Sequence, residues 1–223
     1  MRHFASPSLP PFLSLSQSPA CSRWRSHWRR ALLALSLAAC TLLAACDSNK
    51  PQFKNTDITG AGYAKDFALT DHTGKPRNLS DYKGRVVSIF FGFTNCPDVC
   101  PSTLAEMKGV LAQLGPEDAK RVQVLFITVD PERDTQALLA QYVPAFDPSF
   151  TGLYGDLEST QFVAKNYKVF FQKVPGKTPG SYSVDHSAGS YVYDPQGRLR
   201  LFVRHGQPLD GLVADFKLLL AGK

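Results

Sequence analysis

Beyond residue 46 this 223-residue chain has only two cysteines, Cys96 and Cys100, separated by three residues. That scarcity excludes a disulfide-rich framework and a four-cysteine zinc site. Acidic residues are absent from residues 1–45, which hold the arginines Arg2, Arg23, Arg25, Arg29 and Arg30; the remainder has 20 basic and 19 acidic residues. The formal net charge of +6 therefore belongs to the N-terminal segment, and the rest of the chain gives no charge argument for a nucleic-acid partner. The uncharged apolar run Ala31 to Ala45 is too short for a confident membrane span. Internal repeats are also lacking, so repeat architectures are set aside.

A basic stretch, Arg23 to Arg30, followed by that apolar run has the layout of a secretory signal. It ends in Leu43-Ala44-Ala45-Cys46, which resembles the bacterial lipobox, whose cysteine is lipidated and becomes the mature N-terminus. A second copy, Leu37-Ala38-Ala39-Cys40, is present. Cys46 is preferred because polar sequence, Asp47-Ser48-Asn49, begins at once after it. The expected organisation is a lipoprotein-type signal peptide over residues 1–45, a flexible polar tether over 46–62 and one folded domain over 63–223. An exported compartment oxidises thiols. A lone pair of cysteines there is disulfide-bonded, kept reduced by a partner or held by a metal.

The domain is organised around Val86 to Phe91, an apolar run that reads as a buried strand and leads into Gly92-Phe93-Thr94-Asn95-Cys96-Pro97-Asp98-Val99-Cys100-Pro101. Pro101 is expected to open a helix, Ser102 to Leu114, with Leu104, Met107, Val110, Leu111 and Leu114 at helical spacing. Thiols at a strand-to-helix junction lie where α/β sheets bind ligands, and helix N–H groups there favour thiolates. As a staple, so short a loop gives roughly 2 kcal/mol, against about 4.7 kcal/mol for a 100-residue loop, which favours chemistry over reinforcement.

Further strands are expected at Phe67 to Thr70 and Arg77 to Leu79 around a turn containing His72, at Val122 to Val129, and at Phe150 to Tyr154. The segment Asp130-Pro131-Glu132-Arg133-Asp134-Thr135 precedes a helix through Leu138, Leu139 and Tyr142. Asp134 or Thr135 is expected to cap it, and Arg133 to pair with a carboxylate. A helix from Asp156 to Lys168 should turn Leu157, Phe162 and Tyr167 inward. Residues 175–180 form an exposed loop or hairpin tip, leading to Tyr182-Ser183-Val184-Asp185-His186-Ser187. A hairpin from Gly189 to Arg204 and a helix from Pro208 to Ala221 close the chain. The β-α-β order, then a hairpin and a last helix, is that of an α/β thioredoxin-like fold with a central mixed sheet flanked by helices. In that fold the loop before the final hairpin lies beside the cysteine loop, which brings His186 to Cys96 and Cys100.

Two thiolates and an imidazole form a soft, open site suited to copper, while zinc would take a fourth ligand. His205 is the only other plausible nitrogen, and His72 is expected to be merely solvated. Asp185 is either an orienting partner of the loop or imidazole, or a solvated turn residue. Taken together, Phe93 to Pro101, Thr128 to Thr135 and Tyr182 to Ser187 resemble the Sco/SenC family, copper-binding assembly proteins of cytochrome c oxidase, over about residues 60–220. The resemblance implies copper ligands at Cys96, Cys100 and His186, binding of Cu(I) and Cu(II), and a membrane-tethered domain. Such a domain delivers copper to, or reduces the cysteines of, the binuclear copper site. Implied partners are the copper-site subunit of the oxidase and a copper donor or thiol reductant. The expected location is the periplasmic face of the bacterial inner membrane, reached through the N-terminal lipid. A plain thiol-disulfide oxidoreductase needs only the redox pair Cys96 and Cys100, and the three-residue spacer differs from Cys-x-x-Cys. A peroxiredoxin is disfavoured, since Ile89 and Phe93 stand where that enzyme's proline and threonine would be.

Overall fold

The computed structural model describes residues 51–223. In chain order its elements are β1 (Thr56–Asp57), β2 (Ala68–Asp71), β3 (Pro76–Asn78), β4 (Val86–Gly92), α1 (Val99–Leu114), α2 (Pro116–Ala119) and β5 (Val122–Thr128). There follow α3 (Gln136–Tyr142), β6 (Thr151–Tyr154), α4 (Leu157–Asn166), β7 (Phe171–Pro175), β8 (Tyr182–His186), β9 (Gly189–Tyr193), β10 (Leu199–Arg204) and α5 (Leu209–Leu220).

Eight strands form one mixed sheet in the order β1-β10-β9-β4-β5-β6-β2-β3. Its centre is β4, parallel to β5 with Val86 opposite Val122 and Gly92 opposite Thr128. Every residue of both strands is buried. Predominantly apolar runs suit strands covered on both faces, and the crossovers through α1 and α3 supply the cover. Beyond β4, β9 and β10 run antiparallel as the final hairpin. Strands β7 and β8 pair only with each other, outside the main sheet. The expected thioredoxin-like architecture is present, and among the described residues no helix is long and apolar enough to cross a membrane.

Three expectations are corrected. Helix α1 begins at Val99 rather than Ser102, with Asp98 as its N-cap, so Cys100 lies inside the first turn and Pro101 does not open the helix. On α4, Leu157 and Phe162 are 43% and 65% exposed, whereas Thr160, Val163, Ala164 and Tyr167 face inward. That stripe has the i, i+3, i+4, i+7 spacing of a helix face, but a threonine and an alanine occupy half of it, so it is weakly marked by hydrophobicity. The stretch 51–62, read as tether, is held to the domain. Lys54 and Asn55 donate their backbone N–H groups to the buried Asp215 carboxylate at 2.7 and 2.9 Å, the Asn55 side chain donates at 2.8 Å, and β1 pairs with β10. The calls on Cys40, Cys46 and the signal segment lie outside the described residues.

Candidate metal centre

The site forms where β4 ends. Gly92 stands at the last strand position because nothing larger fits: a Cβ there would lie 2.8 Å from both the Cys100 sulfur and the Phe126 ring. The chain then turns through buried Phe93, and the Val129 N–H donates to the Gly92 carbonyl at 2.8 Å. The thiol loop is fastened from beneath by buried Asp134, which accepts from the Thr94 N–H at 3.0 Å and from the hydroxyls of Thr94 and Thr128. Thr135 is the residue that caps α3, through the Leu138 N–H. Asp134 is therefore a loop anchor rather than a cap. Its burial raises its pKa, which the hydrogen bonds from Thr128 and Thr94 oppose.

Cys96, Cys100 and His186 are brought together by this arrangement. One ligand atom from each, two sulfurs and a ring nitrogen, lie within 4.8 Å of one another. Both thiols are free, Cys96 half-buried and Cys100 fully buried. The Cys100 N–H donates to the Cys96 sulfur at 3.4 Å, so the helix N-terminus does aim a donor at one thiol. For Cys100 the outcome differs from expectation. Burial pushes its thiol well above the usual range, only partly offset by a backbone N–H from Phe93. The sequence places both sulfurs at a helix start but does not reveal that one of them is enclosed by Gly92 and the β4–β5 aromatics.

His186 is the last residue of β8. Its Nε2 lies 3.7 Å from the Cys100 sulfur, and its Nδ1 lies 3.1 Å from the Ser187 carbonyl oxygen. A carbonyl only accepts, so Nδ1 carries the proton and Nε2 presents its lone pair to the sulfurs. Phe90 and Phe93 stand edge-on to the imidazole at 6.0 and 5.8 Å between ring centroids. This burial lowers the His186 pKa and keeps the ring neutral. The orienting partner is thus the Ser187 carbonyl. Asp185 is exposed, and its strand position is opposite Gln172.

The other described histidines, His205 and His72, lie elsewhere. His205 Nδ1 meets the Thr103 hydroxyl at 3.1 Å, behind α1, beside an enclosed hollow of only ≈ 10 Å³. His72 is not merely solvated, because its Nδ1 accepts from the Gly152 N–H at 3.0 Å and ties the β2–β3 turn to β6. A cleft of ≈ 270 Å³ opens onto the site, lined by Phe93, Cys96, Pro97, Val99, Val184 and His186 among others. Sequence reasoning missed Gly92 and Asp134 as supports. Both sit inside or next to the motifs it singled out, but only the packing gives them a role.

Comparison with known proteins gives a consistent result. The family model described as SCO1/SenC matches residues 55–221. The "Protein SCO2 homolog, mitochondrial" of Mus musculus is 44% identical over 157 residues, covering 70% of this chain and 62% of that protein. A Stutzerimonas stutzeri protein named for copper binding is 39% identical over 188 residues, covering 82% of this chain and 91% of its own. Among solved structures, copper-bound ScoI of Bradyrhizobium japonicum is 42% identical with a TM-score of 0.64, covering 70% of this chain and 98% of its own. The chain spans 62% and 50% of the mouse and bovine SCO2 homologs.

Proposed function

Because the chain belongs to the SCO1/SenC family, we propose that it is a membrane-tethered, extracytoplasmic copper metallochaperone with Cys96, Cys100 and His186 as ligands. Copper is its cargo, and the proposed recipient is the binuclear copper site of cytochrome c oxidase. One observation carries the reading: two sulfurs and a lone-pair nitrogen converge within 4.8 Å. Two thiolates favour Cu(I), and the imidazole accommodates Cu(II) as well. Three ligands leave a coordination position free, and Cys96 and His186 border an open cleft. A recipient's ligand can attack there and take the metal by exchange. Copper binds thiolates, so loading displaces the proton of the buried Cys100 thiol, while His186 already presents an unprotonated Nε2.

The test is copper stoichiometry on the reduced, purified protein. One Cu(I) per chain is expected, with wild-type behaviour retained in His72→Ala and His205→Ala. His186→Ala should bind more weakly, and Cys96→Ser and Cys100→Ser should lose nearly all binding. Full affinity and one-to-one stoichiometry in His186→Ala would defeat the three-ligand site.

A thiol-disulfide oxidoreductase is the second reading. It is favoured by the half-exposed Cys96 sulfur, which receives the Cys100 N–H, beside a buried partner thiol. That division of roles suits an attacking and a resolving cysteine. It predicts that His186→Ala retains disulfide exchange with a reduced or oxidised partner.

A further inference from the structure

The β7–β8 hairpin bonds to itself and not to the eight-stranded sheet, yet it carries His186 at its end. Alternation along β8 puts Tyr182, Val184 and His186 on one face. Val184 is buried and the other two are half-buried, whereas Ser183 and Asp185 are exposed. Fixing Tyr182 at one end therefore sets where the imidazole stands at the other.

Tyr182 is held by the turn after β5. Its hydroxyl donates to Asp130 Oδ1 at 2.8 Å, and its carbonyl accepts from Arg133 Nη1 at 2.8 Å. The Arg133 guanidinium lies 3.6 Å from the Tyr182 ring centroid and donates through Nε to the fully buried Asp130 carboxylate. Lys173 of β7 lies 4.7 Å from the same ring and pairs with Glu132. Arg133 Nη2 is buried without a hydrogen-bond partner. The guanidinium thus sits where Tyr182 and Asp130 require it, at the expense of one of its own donors. Arg133 also approaches Phe93, at 6.0 Å from the ring centroid, and Phe93 flanks the His186 imidazole.

We propose that Arg133 and Tyr182 are positioning residues for the metal centre: their clasp with Asp130 holds the hairpin so that His186 Nε2 faces the two sulfurs. This rests on the copper reading and deepens it. Arg133 and Tyr182 touch no ligand atom, and they act through the hairpin. A planar guanidinium is needed to reach the carboxylate, a carbonyl and the ring face together, which lysine does not do.

The experiment compares Cu(I) affinity, by competition with a chromophoric chelator, in wild type, Tyr182→Phe, Arg133→Lys, His186→Ala and the two double variants with His186→Ala. Tyr182→Phe keeps the ring under Arg133 and loses only the hydroxyl. Each clasp variant is expected to lose about tenfold in affinity, and neither should lower it further once His186 is absent. Wild-type affinity in both clasp variants overturns the proposal. So does a loss of the same size with and without His186, which is the mark of a general structural role. The His186 ring-proton resonances of the metal-free, reduced protein give a metal-independent reading. They should shift in both clasp variants, and unchanged resonances also overturn the proposal. Failure of wild type to take up copper would sink the copper reading instead, and the ring-proton comparison would still decide the clasp.

Discussion

As a proposed ligand, Cys100 would make metal uptake a proton-coupled step. Burial, chiefly, raises its pKa above that of an ordinary thiol, so at neutral pH it carries a proton that the metal must displace. Proton and metal compete for one sulfur, so affinity falls as pH falls. For this residue alone it should rise about tenfold per pH unit throughout the range below the raised value. His186 runs the other way: burial lowers its pKa, so the imidazole is already neutral and adds no slope until pH drops below that lowered value. Cu(I) affinity measured from pH 6 to 8 should therefore show a slope of log affinity against pH of at least about one. Cys100→Ser should bind far more weakly and lose this contribution. A flat wild-type profile would mean that Cys100 either does not ligate or is already ionised. Gly92 is part of the same account, since the enclosure that raises Cys100 exists only because no side chain stands at the strand end.

Among the elements, α5 and β10 hold more of the N-terminal segment than its composition suggests. Asp215 on α5 is 0% exposed and receives three donors from Lys54 and Asn55, while Arg200 on β10 reaches Thr59 and the buried Asp194. A chain starting at Gly62 would lose the three donors to Asp215, the β1–β10 pairing and the packing of Phe53 and Ile58, together on the order of 3 kcal/mol. For a domain of this size that lowers the melting temperature by about 6–12 °C. A chain starting at Asn49 should melt like the full-length protein. Equal melting of the two truncations would show that the segment contributes nothing to the fold. This contact was illegible in the sequence because Pro51 to Gly62 is polar, and polar composition does not distinguish solvated backbone from backbone hydrogen-bonded to a distant carboxylate. The central strands were legible, since Val86 to Gly92 and Val122 to Thr128 are mostly apolar runs of strand length, with Ser88, Gln123 and Thr128 the polar members. The grouping of Cys96, Cys100 and His186 was legible too, because the topology brings the stretch before β9 to the end of β4. The support beneath them was not. In the sequence Asp134 is a candidate helix cap and Tyr182 belongs to the loop before the final hairpin, and only packing shows what they hold.

At the scale of the whole molecule, the proposed membrane tether acts on a nearly neutral domain. The formal charge of +6 derives from arginines in residues 1–45, which a processed protein would lose, leaving 20 basic and 19 acidic residues. So small a net charge gives weak attraction to an anionic lipid surface. Attachment through a lipid at Cys46 is the proposal that fits Leu43-Ala44-Ala45-Cys46 and the polar residues that follow. A single acyl chain holds only marginally, so stable retention implies more than one chain on that cysteine. Metabolic labelling with a fatty acid should mark the wild-type protein and not Cys46→Ala, which should appear in the soluble fraction after lysis. The proposed ligands are Cys96, Cys100 and His186, so the released variant should bind Cu(I) with wild-type stoichiometry. Label that persists in Cys46→Ala and disappears in Cys40→Ala would move the anchor to the earlier cysteine. Label in neither protein, with wild type still sedimenting with membranes, would replace the lipid by another mode of attachment.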